Sequence, residues 1–245
     1  MTEVIVSVFE DALRSNATHK SGLKRLNSSV KSFEDKTVFV KTILLSFYDK
    51  VLLCAKKDAS VERIINFFTT FAADIATDKD ESAFRTIIEH LVARTTADNK
   101  VVRYRACETV AHIFEKAADA EFSGELLDFV ADSFLPLLRD KCVTVRSWAV
   151  RVVKPLQGDD NEALRKELLR LMVSDPSSEV RAAAVSAISI KKATLPEIIK
   201  RLEEISPDVR KATIMKLMDP ALNAKHFAVP LRAKIVKCGL LDRDD

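Results

Sequence analysis

The chain has 245 residues, 47% of them apolar, with 39 Lys and Arg set against 36 Asp and Glu and a formal net charge of +3. That much apolar material supports a folded core, and so small a basic excess predicts no partner by itself; the arrangement of charge has to do that. The four cysteines, Cys54, Cys107, Cys142 and Cys238, lie far apart without CxxC spacing. This speaks against a metal or disulfide role and reads as buried thiols in a reducing compartment.

Apolar residues recur at helical spacing almost everywhere, and no alternating strand pattern stands out. Val4–Leu13 and Ser21–Phe33 read as two opening helices, expected to cap the rest of the chain. The first carries no signal-peptide pattern, because Val4–Val8 is short and acids come at once after it. VFVKTILLSFYDKVLLCA (Val38–Ala55) is the most apolar run. Lys41, Asp49 and Lys50 interrupt it, so it reads as a buried helix within Lys36–Lys57 and not as a membrane span. A soluble intracellular protein is expected. The partner of that helix runs over Ser60–Ile75, with Ile64, Ile65, Phe67, Phe68 and Phe71 inward. ATDKDES (Ala76–Ser82) is a polar connector; its acids do not fit a calcium loop.

A recurring cassette comes next. Aligned on its arginine it reads VRYRACETV from Val102, VRSWAVRVV from Val145, VRAAAVSAI from Val180 and VRKATIMKL from Val209. An acid precedes each: Asp98, Asp140, Asp175 and Glu204, six residues before the arginine in three cases and five in the first. Repeats separated by roughly 30 to 45 residues are the mark of helical-hairpin arrays of the HEAT type. The hairpins are Ala83–Arg94 with Val101–Lys116, Glu125–Arg139 with Thr144–Lys154, Asn161–Val173 with Ser178–Ile190, and Leu195–Ile205 with Pro207–Met218. Pro230–Leu240 is a last helix without a partner. The fold class predicted is therefore all-α, a HEAT-repeat solenoid of stacked antiparallel helix pairs. Residues 1–245 form a single array, with 1–35 capping, 36–220 as hairpins and 221–245 as an incomplete last repeat of a truncated array.

The cassette's chemistry reads as structural. An Asp near a helix start accepts from open N–H groups and favours the positive helix end, and Ser206 before Pro207 suits an N-cap. Arg103, Arg146, Arg181 and Arg210 can reach back to an acid of their own or the neighbouring unit, forming a ladder with Asp98, Asp140, Asp175 and Glu204. Ala106, Ala149 and Ala184 let helices approach, and Trp148 falls in an apolar stripe as core. No GxxxxGK(S/T), GxSxG or HExxH occurs, and the histidines are scattered, so no enzyme and no cofactor is expected.

Several segments resemble a known family. EDKTVF (Glu34–Phe39), VERIINF (Val61–Phe67), VVRYRAC (Val101–Cys107), DPSSEVRAAAVSAI (Asp175–Ile188), ATLPEIIKR (Ala193–Arg201) and GLLDRDD (Gly239–Asp245) fall in the order of the N-terminal part of the HEAT-repeat subunits of condensin known as condensin complex subunit 3. DKTVF, VERI and TLPEIIKR are the discriminating stretches. The resemblance implies a non-catalytic regulatory subunit that grips the kleisin chain and, with it, duplex DNA, for mitotic and meiotic chromosome condensation. It implies indirect association with the SMC ATPases, no membrane, and a place in the nucleus on condensed chromosomes, with a cytoplasmic pool. A protein-only HEAT adaptor is the alternative. The family's chains are far longer, so a fragment, a truncated gene model or a degenerate copy is expected.

For sequence-independent DNA binding, cations on one face would neutralise phosphates. The candidates are Lys56, Lys57, Arg63, Arg103 and Arg105. The resemblance places a basic pair at Lys56 and Lys57, at the end of the helix preceding VERI. Arg103 sits in the cassette register and is structural there. Arg105 lies outside that register and is expected to be freer to face a ligand. A second basic cluster, HKSGLKR (His19–Arg25) with Lys31, reads as a solvated face, with a place in the DNA groove as the alternative.

Overall fold

The computed structural model describes residues 2–55, 58–158, 161–219 and 227–241. Among these there is no strand, and the helices follow the apolar periodicity closely. They are α1 (Thr2–Arg14), α2 (His19–Ser32), α3 (Lys36–Ile43), α4 (Asp49–Leu52), α5 (Ala59–Ala76), α6 (Ser82–Arg94) and α7 (Lys100–Lys116), then α8 (Gly124–Phe134), α9 (Val143–Val153), α10 (Glu162–Ser174), α11 (Ser178–Ala187), α12 (Leu195–Lys200), α13 (Pro207–Leu217) and α14 (Val229–Leu240). Side-chain oxygens start several of them. Asp35 accepts from the Thr37 and Val38 amides, Asp58 from Ser60, Asn99 from Val101 and Asn161 from Leu164, each satisfying N–H groups that a helix start leaves open.

The chain divides into two compact units, Met1–Ser133 and Phe134–Asp245. In the first, α1 and α2 form a hairpin that packs on α5. Helix α5 lies against α7, α3 lies against α6, and α6 pairs with α7. The core between them is aromatic. Phe39, Phe67, Phe68, Phe71, Phe84 and Tyr48 are fully buried, with Tyr48 stacked on Phe68 at 3.8 Å between ring centroids. In the second unit α9, α11 and α13 lie side by side, α10 pairs with α11, and α14 touches α13. Each helix thus buries one stripe against a hairpin partner and its flank against the next repeat.

Some expected helices end sooner. The long helix expected over 36–57 is α3 and α4 joined by a π-helical turn, Leu44–Tyr48, and it finishes at Leu52. Such wide turns leave no periodicity signal. Expected helix 125–139 stops at Phe134 and continues as a 3-10 turn, Pro136–Arg139, because Pro136 has no N–H to give. The helix expected over 195–205 is α12 followed by a 3-10 turn, Arg201–Glu203. Among the described residues, no helix is long and apolar enough to cross a membrane.

Candidate functional site

The cassette arginines share one geometry. Nη1 of each donates to the carbonyls six and five residues back, in the turn just ahead of its own helix. Arg103 reaches Ala97 and Asp98 at 2.8 and 2.9 Å. Arg146 reaches Asp140 and Lys141 at 2.8 and 3.4 Å. Arg181 reaches Asp175 and Pro176 at 2.9 and 3.3 Å, and Arg210 reaches Glu204 and Ile205 at 2.9 and 2.8 Å. The planar fork of the guanidinium leaves other N–H groups to point forward. In the second unit they find the acid of the following cassette. Arg146 binds Asp175 bidentately, Nε to Oδ2 at 2.8 Å and Nη2 to Oδ1 at 2.9 Å. Arg181 Nη2 lies 3.5 Å from Glu204 Oε1, and Arg201 approaches the other oxygen at 3.1 Å.

The acids themselves do not cap their helices. Asp140 and Asp175 accept from the amides of Cys142 and Ser177, two residues on and still ahead of α9 and α11. Ser206 stands at the N-cap position of α13 but makes no side-chain cap bond. Asp98 is exposed and contributes its carbonyl to Arg103; Ala97 holds the place that an acid fills in the other three cassettes. Trp148 is half-buried, with the Arg151 guanidinium 4.4 Å over its ring. Of the four free thiols only Cys107 is buried.

The cations expected to face phosphate have unequal fates. Lys56 and Lys57 lie outside the described residues. Arg63 is half-buried on α5, and its Nε donates to the Leu13 carbonyl at 2.8 Å, tying α5 to the end of α1. Arg103 spends one edge of its fork on the turn ahead of α7. Arg105 corrects the sequence reading: its side chain is fully buried. Its Nε donates to the Cys54 carbonyl at 3.0 Å, and its Nη1 to Glu108 Oε2 at 2.7 Å and Glu62 Oε1 at 3.3 Å. Burial is the largest influence and opposes the charge, but the hydrogen bond and charge of Glu108, joined by Tyr104 and Glu62, together outweigh it and raise the guanidinium pKa, so it stays ionised. A cation so enclosed cannot reach a phosphate. In the opening cluster His19 is buried with Nε2 against the Ala12 carbonyl at 3.2 Å, so that face is only partly solvated.

Around Arg105 runs a connected polar network. Tyr104 donates its hydroxyl to the Ala55 carbonyl at 3.1 Å. Thr109 Oγ1 donates to the Arg105 carbonyl, so the buried Tyr48 hydroxyl, 2.7 Å away, is the donor to Thr109. Burial pushes the Tyr48 pKa well up, keeping it a neutral donor. Sequence reasoning misses this network, although Glu108 three residues after Arg105 is a helical-face neighbour that could signal it.

Paired helices with guanidinium joints between hairpins define the chain as a HEAT-type helical-repeat scaffold. Within that class it is similar to condensin complex subunit 3. It is 27% identical to the Schizosaccharomyces pombe protein over 237 residues, 95% of this chain and 27% of that relative. It is 26% identical to the Homo sapiens protein over 231 residues, 90% of this chain and 23% of that relative. A crystal structure of the S. pombe condensin Cnd3-Cnd2 subcomplex matches with a TM-score of 0.82 at 26% identity, covering 98% of this chain and 31% of that one. No family model matches. The chain spans about a quarter of the length of the curated relatives it matches.

Proposed function

We propose that this chain is a non-catalytic condensin scaffold segment that binds the kleisin subunit and, together with it, duplex DNA. The likeness to the condensin Cnd3-Cnd2 subcomplex over 98% of the chain carries the reading. Physical chemistry supports the division of labour. Stacked hairpins offer long surfaces to a polymer, and lysines and arginines along them would neutralise phosphates without reading bases. Lys56 and Lys57 are the proposed phosphate contacts, with Arg63 and Arg103 as further candidates; Arg105 is withdrawn from that set by its burial. The SMC ATPases would be engaged through the kleisin, and the site of action would be condensed chromosomes during mitosis and meiosis.

The test is a gel shift of this chain on duplex DNA across salt, with and without a kleisin peptide. Binding that weakens steeply with salt, is enhanced by kleisin, and drops for Lys56→Ala/Lys57→Ala supports the proposal. Kleisin binding without any DNA shift would leave a protein-only adaptor. Retention of full DNA affinity by the double alanine variant would remove the basic pair from the interface.

A further inference from the structure

Two lysines of the second unit converge on the end of α11. Lys216 of α13 reaches across to donate to the Ser186 carbonyl of α11 at 3.1 Å. Lys154, in the turn that follows α9, comes up from the other flank. Its backbone is fixed there by the buried Gln157 side chain, whose amide nitrogen donates to the Lys154 and Ala187 carbonyls at 2.9 Å each. The Gln157 oxygen in turn accepts from the Ser189 amide at 2.9 Å. The open side of α11 here carries only short side chains, Ala182, Ala183 and Ser186. A lysine near a helix end ordinarily answers the carbonyls of its own helix. Lys216 serves another helix, and so comes within range of a like charge. Burial first, and the Lys154 charge second, push its pKa down to about 8, with Asp219 pulling the other way. Among the described residues neither ammonium makes an ion pair. Two like charges held together are unfavourable until an anion lies between them.

The surface around the pair suits a polypeptide better than a phosphate backbone. One turn before Lys154, Arg151 lies 4.4 Å over the ring of the half-buried Trp148. Met215, beside Lys216 in α13, is 68% exposed. Aromatic, methionine and arginine surface is what anchors polypeptide side chains. Helices α9, α11 and α13 lie side by side, so an extended chain can cross all three. We infer that Lys154 and Lys216 clamp a carboxylate of an acidic, extended polypeptide segment, whose apolar neighbours rest on Trp148 and Met215. This rests on the kleisin reading above and names the kind of kleisin stretch the second unit takes: one with Asp or Glu next to an apolar side chain.

The experiment titrates the full chain with the intact kleisin subunit and with short overlapping peptides that tile it, following peptide anisotropy and the emission of Trp148, the single Trp. An acidic peptide is expected to bind and to shift that emission. Lys154→Glu and Lys216→Met should each weaken it on the order of ten-fold, as for loss of a charge-assisted hydrogen bond. Lys154 is exposed, so Lys154→Glu tests the clamp even if Lys216→Met loosens the fold. Since it also removes a repulsion, its thermal melt should not fall below the parent's. Replacing the peptide's acid by Lys should restore affinity for Lys154→Glu, which a merely structural lysine would not do. Parental affinity of Lys154→Glu for the intact kleisin and for every acidic peptide, or binding of neutral and basic peptides only, would overturn the clamp while the kleisin reading stands. Duplex DNA that shifts Trp148 and loses affinity through the same two substitutions would assign the lysines to phosphate and overturn the clamp as well. No binding by the intact kleisin or any peptide would overturn the kleisin reading and the clamp with it.

Discussion

The Arg146–Asp175 joint makes the sharpest prediction. The two side chains are 10% and 2% exposed, and the contact is bidentate, so it belongs to the buried class of ion pairs. Arg146→Met keeps much of the stem and removes the fork. It leaves the Asp175 carboxylate enclosed, with the Ser177 amide at 2.9 Å as its remaining described donor. It also strips the carbonyls of Asp140 and Lys141 of their guanidinium. Breaking one side of a buried pair costs about 3–5 kcal/mol. For a unit of roughly a hundred residues that lowers Tm by somewhere above about 10 °C. The chain has a single Trp, and Trp148 lies on α9, the helix that carries Arg146, so urea unfolding followed by its fluorescence reports this unit. Arg146→Met/Asp175→Asn, which removes the charge but keeps an acceptor for Ser177, should recover a large part of the loss. By contrast, cutting the Glu162–Lys166 pair, 67% and 72% exposed, should leave the unfolding midpoint unchanged, because solvent and salt screen a pair so exposed. An Arg146→Met variant within about 1 kcal/mol of the parent, or a double variant no better than the single one, would refute the reasoning.

Other outcomes rest on particular contacts. The Arg139 hydrogen bond holds the Glu167 pKa down at about 2 against an ordinary 4.5. A depressed carboxylate stabilises above its unfolded pKa and loses that contribution as pH falls through the folded value. The second unit should therefore weaken from about pH 4.5 towards 2, and Arg139→Ala should flatten that slope in Trp148 fluorescence titrations. Gly22→Ala should destabilise despite better helix propensity, because its Cβ would meet Val8 Cγ1 at 3.1 Å and the Phe67 ring at 3.2 Å. Gly124→Ala meets nothing within 4 Å and should be neutral or up to about 1 kcal/mol stabilising; thermal melts by circular dichroism compare the two. Tyr48→Phe should cost about 1 kcal/mol in the first unit by leaving Thr109 one donor short, read by hydrogen exchange in α7.

Helices are legible because one-sided apolar spacing and Asp or Asn caps are local signals. The inward set Ile64, Ile65, Phe67, Phe68 and Phe71 is buried as read. The cassette announces a joint, since valine, arginine and a preceding acid recur together. Its register is less legible. The guanidinium seeks carbonyls six and five residues back, and a sequence shows no carbonyls, so Asp98 looks like a shifted acid when Ala97 holds the equivalent place. Arg105 is misleading for a different reason. Two of its partners, Glu62 and the Cys54 carbonyl, are 43 and 51 residues away, and only folding α5 against α7 brings them together. The π-helical turn at Leu44–Tyr48 has no compositional signature, so the apolar pattern overruns the end of the first long helix.

The joints in the second unit tolerate change of scale. The step from Arg146 to its acid crosses 29 residues, whereas the step from Arg181 crosses 23, yet both arginines grip their own turn at the same six-residue offset. Length is therefore absorbed in the first helix of a hairpin or its connector, while the coupling stays standard, like a common thread on bolts of different length. A duplication that copies one acid and the following arginine would arrive with both halves of the fastening already cut to gauge.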